Sequence, residues 1–251
     1  MELTQYFSKN IEGKRIVITG GTTGIGKAIA DLLVSLGGRV FIFGRDKNDF
    51  RDAYKEIRAH HKKSELYGCA ADVSDPEDRS RVFKSIESCL GGIDMLINNA
   101  AVAAGGILDG NPEDWQYIIN TNIIGYLAFA KEAVTKMQAQ KSGHIVNIGS
   151  MSADVREETG TIYVTTKAAI QGFSAALRKE VNPEGIKVSL IEPGAVTSDM
   201  QPGSKADHQD KIDKMEMLEA QDIAMCVLFC LSQPTRCDIV ELQVRPHLQL
   251  I

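Results

Sequence analysis

Tyr163 and Lys167 stand four residues apart in a stretch of helical periodicity, so both side chains fall on one helix face. A tyrosine gives a proton to a carbonyl only when its phenolate is within reach near neutral pH. Its ordinary pKa is about 10, and an ammonium one turn away lowers it by favouring the anion. Alone, in a chain with six tyrosines, the pair also fits two residues on a solvated helix face. Ser150, thirteen positions earlier at the end of an apolar run, adds a hydroxyl that can bond the same carbonyl oxygen. Two donors on one developing oxyanion are what hydride addition to a ketone or aldehyde requires. Ser152 is the competing serine and reads as loop structure.

A carrier for the hydride is suggested by Thr19-Gly-Gly-Thr-Thr-Gly-Ile-Gly26. It follows the β-branched run Arg15-Ile-Val-Ile18, a buried strand, and precedes Lys27–Val34, apolar at helical spacing. A strand, a glycine-rich turn and a helix open a nucleotide-binding βαβ unit. Gly20, Gly24 and Gly26 permit the tight turn, the approach of backbone to a pyrophosphate, and close helix–sheet packing. The free N–H groups at the helix start then face the phosphates. The glycines fall as G-x-x-x-G-x-G and not as G-x-G-x-x-G, so the loop alone also fits an ordinary tight turn.

The elements that must position these residues alternate along the chain. Further strands are expected at Arg39–Phe43, Glu65–Ala71, Ile93–Ile97, Gly143–Gly149, Ile186–Ile191 and Asp238–Val244. Further helices are expected at Asp46–His61, from Asp75 to about Leu90, a long one from Asn111 to about Ala139, through Tyr163 and Lys167 to Asn182-Pro183, and at Glu219–Leu231. Asp75-Pro-Glu-Asp78 and Asn111-Pro-Glu-Asp114 are matched helix starts, with a cap acceptor, proline in the first turn and acids at the positive end of the dipole. Ser150–Thr161 reads as a loop. Residues 199–217, polar with Pro202 and Gly203, read as a mobile substrate lid of weak helical character. The alternation predicts an α/β fold: a doubly wound, mostly parallel seven-stranded sheet with helices on both faces, one domain over residues 1–251. Ligands of such sheets lie beyond the carboxyl ends of the strands, where the glycine loop, Asp72, the Asn98 run, Ser150 and Pro193-Gly194 all fall.

Composition narrows the function classes. With 251 residues, 43% hydrophobic and 24% charged, the chain can bury a substantial core. A net charge of −5 and no basic run beyond two residues argue against a nucleic-acid partner. The five cysteines hold no C-x-x-C pair; Cys226 and Cys230 share an apolar helix face and read as core, with no metal site expected. Met1–Phe7 has no basic leader pattern, and no segment approaches a membrane span of about 18 apolar residues. A cytoplasmic protein without a membrane partner is expected.

Together the motifs resemble those of the short-chain dehydrogenases/reductases of the single-domain, Rossmann-like type, over nearly the whole chain. The family's T-G-x-x-x-G-x-G loop corresponds to Thr19–Gly26, which assigns Gly20, Thr22, Thr23, Gly24, Ile25 and Gly26 to a nicotinamide cofactor. Its adenine-contacting Asp-Val corresponds to Asp72-Val73. Its N-N-A-G turn corresponds to Asn98–Ala101, with Asn99, Ala100 and Ala101 against the cofactor and Ala101 in place of the glycine. The catalytic Asn, Ser, Tyr and Lys of the family fall on Asn122, Ser150, Tyr163 and Lys167. The P-G turn that holds the nicotinamide falls on Pro193-Gly194, with Val196 and Ser198 at the carboxamide-binding positions. The resemblance implies Tyr163 as acid/base, and Lys167 as the group that lowers its pKa and binds the nicotinamide ribose. It implies Ser150 as the group that orients the carbonyl, and Asn122 as holder of a water in a proton relay to Lys167. Without the resemblance, Asn122 reads as a polar kink in a buried helix.

The choice of cofactor turns on the end of the second strand, where an NAD enzyme places an acid for the ribose 2′-hydroxyl. Here Gly44 is followed by Arg45, and a guanidinium suits a 2′-phosphate, so NADP(H) is favoured and NAD stays possible. Arg45 as a solvated residue beside Asp46 is the other reading. The expected activity is hydride transfer between NADP(H) and a small carbonyl or alcohol substrate. Arg156, Glu157 and Glu158 hint at a polar or ionic substrate; Met200, Met215 and Met217 would make an adaptable lid. A nucleotide-bound regulatory or scaffold protein and a dehydratase or epimerase remain open on the same scaffold. The resemblance also implies a homodimer or homotetramer, the long helices from Asn111 and through Tyr163 pairing between subunits. Asp238–Pro246 departs from the glycine-rich C-terminal pattern of many members.

Overall fold

The computed structural model describes residues 9–198, 200–201 and 203–249. The leader reading at Met1–Phe7, and Asp199 and Pro202 of the lid, lie outside the described residues. Seven strands form one sheet in the order β3-β2-β1-β4-β5-β6-β7, every neighbouring pair parallel. The strands are β1 Arg15–Thr19, β2 Arg39–Gly44, β3 Leu66–Ala70, β4 Met95–Asn98, β5 Gly143–Ile148, β6 Ile186–Pro193 and β7 Glu241–Val244. The helices are α1 Gly24–Ser35, α2 Lys47–His60, α3 Pro76–Leu90, α4 Pro112–Ile119, α5 Gly125–Gln140, α6 Ser152–Val155, α7 Thr161–Val181, α8 Lys205–Asp213 and α9 Ala220–Leu231.

Runs such as Ile16-Val-Ile18 are wholly apolar because both faces of a parallel sheet are covered. Ile16 and Ile18 pack with Ile29 and Leu33 of α1 and Ile223 and Val227 of α9. Val17, on the opposite face, packs with Val82 of α3, Phe129 of α5 and Leu177 of α7. The order of connection reverses between β1 and β4, and the two carboxyl ends part there to leave a crevice. Both expected helix starts form: Asp75 accepts from Glu77 N at 2.7 Å, and Asn111 and Asp114 make a capping box.

Four elements differ from expectation. The helix from Asn111 is broken by a π turn at Asn120–Ile124 before α5 resumes. The wider turn lets Asn122 point inward, its side chain bonding Val102 and Thr166 in place of continuing a regular face. The Ser150–Thr161 loop contains α6, ended by Arg156 in the left-handed region at φ 57°. The lid segment holds a formed helix, α8, because Ser204 and Asp207 cap its start reciprocally. The last strand is confined to Glu241–Val244. Among the described residues no helix is long and apolar enough to cross a membrane.

Candidate active site

The crevice is bounded on one side by the glycine loop. Gly20, at φ 63°, lies so close to β4's end that a Cβ there would sit 2.9 Å from Ala100 Cα. Thr19 Oγ1 accepts from the amides of Asn99 and Ala100, both at 2.9 Å. Asn99 Nδ2 returns bonds to the carbonyls of Thr19 and Gly20. The two strand ends at the topological switch are thereby stitched together. Gly26 sits behind the loop, where a Cβ would meet Gly20 O at 2.1 Å, so it packs helix on strand and does not line the cleft. Thr23 begins α1 without a side-chain cap bond, leaving the first-turn amides for an anion. The residues present fit a dinucleotide.

Ser150, Tyr163 and Lys167 meet in the same cleft, as do Thr22, Ile25, Asp72, Val73, Ala101, Pro193, Gly194, Val196 and Ser198. Lys167 is buried, 3% exposed. Its Nζ donates to the carbonyl of Ile148 at 3.1 Å and stands 5.5 Å from the Tyr163 ring centre. Tyr126 donates to the same carbonyl at 2.9 Å, so the end of β5 holds the lysine by its backbone. Burial pulls the ammonium down to about 8, and Glu192 opposes that fall. Burial pushes the Tyr163 phenol up to about 12; a hydrogen bond with Ser150 lowers it, and Glu157 raises it. Desolvation dominates the phenol, Ser150 supplies the lowering contact, and the lysine's own bond is made to Ile148. Ser152 donates to Glu157 at 2.8 Å and so belongs to the loop. Asn122 does not line the cleft. Its Oδ1 accepts from Val102 N at 2.8 Å, and its Nδ2 donates to Val102 O and to Thr166, the neighbour of Lys167.

At the other end of the cleft Gly44 has no room for a side chain, since a Cβ would lie 2.2 Å from Thr22 Oγ1. Asp46 caps α2 through Oδ1, accepting from Asn48 N and Asp49 N. Arg45 is exposed on the rim and donates to the hydroxyl of Tyr117. Tyr117 in turn donates to Asp72 Oδ2 at 3.3 Å. Tyr117 carried no signal in the sequence, where it reads as one more residue of an amphipathic helix. Glu192 was equally hidden. Wholly buried beneath Gly149, it accepts from Gln243 through Oε2, while Oε1 has no partner among the described residues. Burial pushes its carboxyl up to about 7, with Glu241 and Asp154 adding to the rise against Gln243.

Comparison with known proteins agrees with this geometry. The short chain dehydrogenase family model matches residues 14–209. The chain belongs to the short-chain dehydrogenase family. An uncharacterized oxidoreductase of Staphylococcus aureus (strain MRSA252) is 34% identical over 238 residues, covering 93% of this chain and 97% of its own. Among solved structures, this short-chain dehydrogenase is similar to L-sorbose reductase from Gluconobacter frateurii complexed with NADPH and L-sorbose. The TM-score is 0.84 at 26% identity, over 94% of this chain and 96% of that one. A short chain dehydrogenase from Burkholderia cenocepacia J2315 in complex with NADP gives a TM-score of 0.82 at 26% identity, over 94% and 98%. The family and the doubly wound fold are those expected from the motifs.

Proposed function

We propose that this short-chain dehydrogenase is an NADP(H)-dependent carbonyl reductase and alcohol dehydrogenase acting on a small substrate. The observation that carries the reading is the convergence of Ser150, Tyr163 and Lys167 at the end of β5, inside the cleft lined by the glycine loop. The bound nicotinamide would supply or accept the hydride; everything else falls to side chains of this chain. Ser150 and Tyr163 hydrogen-bond the substrate oxygen, and Tyr163 gives up its proton as negative charge develops there. Lys167, held on Ile148, keeps a positive charge beneath the phenol and binds the nicotinamide ribose. Asn122 fixes the Val102 turn and Thr166 beside the lysine. The water relay from Asn122 to Lys167 is part of the proposal and rests on the family pattern.

NADP(H) over NAD(H) is supported by Gly44, where Thr22 excludes an acid, and by Arg45 on the rim. The NADPH and NADP of the two similar structures point the same way. Gly20, Thr22–Ile25, Asp72, Val73, Asn99–Ala101, Pro193, Gly194, Val196 and Ser198 would hold the cofactor, with Gly26 packing behind them. Residues 199–217 would act as the substrate lid of a single catalytic unit. Assembly into a homodimer or homotetramer in the cytoplasm belongs to the same reading; exposed Ile119, Ile124 and Leu127 on the α4–α5 segment suit helix pairing between subunits. The test is NADPH consumption with a panel of small carbonyls, followed by Tyr163→Phe. The variant should lose at least roughly a hundred-fold in kcat with NADPH affinity kept. Full turnover in Tyr163→Phe would sink the mechanism.

A further inference from the structure

The C-terminal segment, which follows no glycine-rich family pattern, returns to the turn after β6. The amide of Ala195 donates to Gln249 Oε1 at 3.0 Å. The carbonyl of Ala195 accepts from Leu218 N at 2.9 Å, and Leu218 O accepts from Thr197 N. Both backbone groups of Ala195 are therefore held, one by the tail and one by the segment that ends the lid. The tail also grips the lid directly: Leu248 N donates to the carbonyl of Met215 at 2.9 Å. Met215, at φ 59°, is the left-handed residue that closes the turn after α8. Arg245 donates to the backbone carbonyl of Gln249 at 2.9 Å and keeps the tail folded back.

Gly194 carries the imprint of this contact. Its backbone is not in the left-handed region, so conformation does not demand glycine there. A Cβ would instead strike Gln249 Oε1 at 2.3 Å and approach Pro246 Cδ and Arg245 Cβ at 3.1 and 3.2 Å. The ring from Ala195 through Leu218, Met215 and Leu248 to Gln249 and back has hydrogen bonds at its three crossings between segments.

We propose that Gln249 is a positioning residue for the Pro193–Ser198 turn, and that the tail from Arg245 to Gln249 couples this turn to the C-terminal end of the lid. The proposal rests on the reading of that turn as the nicotinamide seat. Gln249 does not itself line the cleft; it acts by fixing the direction of the Ala195 amide and with it Val196 and Ser198. Lid movement and nicotinamide placement are then one event.

The experiment compares Gln249→Met, which keeps length and removes the acceptor, with Gln249→Glu, which keeps an acceptor oxygen. Amide hydrogen exchange over residues 193–198 and 211–218 should quicken in Gln249→Met and stay near wild type in Gln249→Glu, with the thermal midpoint of Gln249→Met lowered by no more than about 2–4 °C. kcat with NADPH should fall roughly ten-fold in Gln249→Met, the scale of one lost hydrogen bond. Affinity for 2′,5′-ADP, which probes only the adenosine end, should not move in either variant. Unchanged exchange in Gln249→Met, or equal impairment of both variants, overturns the latch. A wild type that neither binds NADPH nor turns over a carbonyl overturns the functional reading, and the exchange comparison still decides the latch.

Discussion

Arg45→Ala is the perturbation that most directly tests the assignment of the cofactor. A guanidinium–phosphate hydrogen bond contributes about 1.5–3 kcal/mol. Arg45 begins bonded to the neutral hydroxyl of Tyr117 on the solvent-exposed rim, and that contact, worth about 0.5–1 kcal/mol, must be exchanged for the phosphate. The net loss on removing Arg45 is then about 1–2 kcal/mol, or roughly 5- to 30-fold in NADPH affinity. NADH has no 2′-phosphate, so its affinity should change by less than about two-fold. The effect should shrink as salt rises, because the site is on the rim. The assay is parallel fluorescence titration of wild type and variant with both cofactors at two salt concentrations. Equal weakening of NADPH and NADH would refute the reasoning, because it would make Arg45 a structural residue. Tighter binding of NADH than NADPH by the wild type would overturn the NADP(H) reading while leaving the Ser150, Tyr163 and Lys167 site intact.

Other expectations follow from the same geometry. Gly44→Asp should not yield an NADH enzyme, since its Cβ meets Thr22 Oγ1 at 2.2 Å; urea unfolding should show a loss of about 1–3 kcal/mol, relieved by adding Thr22→Gly. His144 is buried, bonded to Ser189 at 2.9 Å, and burial pulls it down to about 4, with Lys187 lowering and Asp238 raising it. Its folded pKa lies below the ordinary 6.5, so the unfolded chain binds the extra proton between those values and stability falls as pH drops through that window. The gap is worth about 3 kcal/mol. Unfolding curves from about pH 7 to pH 4 should therefore be steeper for wild type than for His144→Gln, and parallel curves would refute the assignment.

Much of this molecule could be read from residue order because the signals are local. Ile16-Val-Ile18 needs apolar neighbours on both faces wherever it lies, and Asp75-Pro76 starts a helix by contacts within one turn. The site motifs share one location because parallel strands share one carboxyl edge. What escaped is what depends on distant partners. Asn122 looks like any polar residue in a helix until Val102 and Thr166 are beside it. The burial that pushes the Tyr163 phenol up cannot be read from the spacing of Tyr163 and Lys167 alone. Arg45, Tyr117 and Asp72 come from three separate elements, and Glu192 lies beside Asp154, Glu241 and Gln243 only after β7 joins the sheet.

The lysine's seat on the carbonyl of Ile148 has a consequence for how such a chain can diversify. A backbone oxygen is the same in every sequence, so no substitution at position 148 removes the acceptor as long as β5 keeps its register. Reductant preference, on the proposed reading, hangs instead on side chains of the cleft, the exposed Arg45 and the buried Thr22, which can change one at a time. On that reading, descendants of this chain could trade cofactor at the cleft rim while keeping the lysine's seat, which mutation cannot address directly.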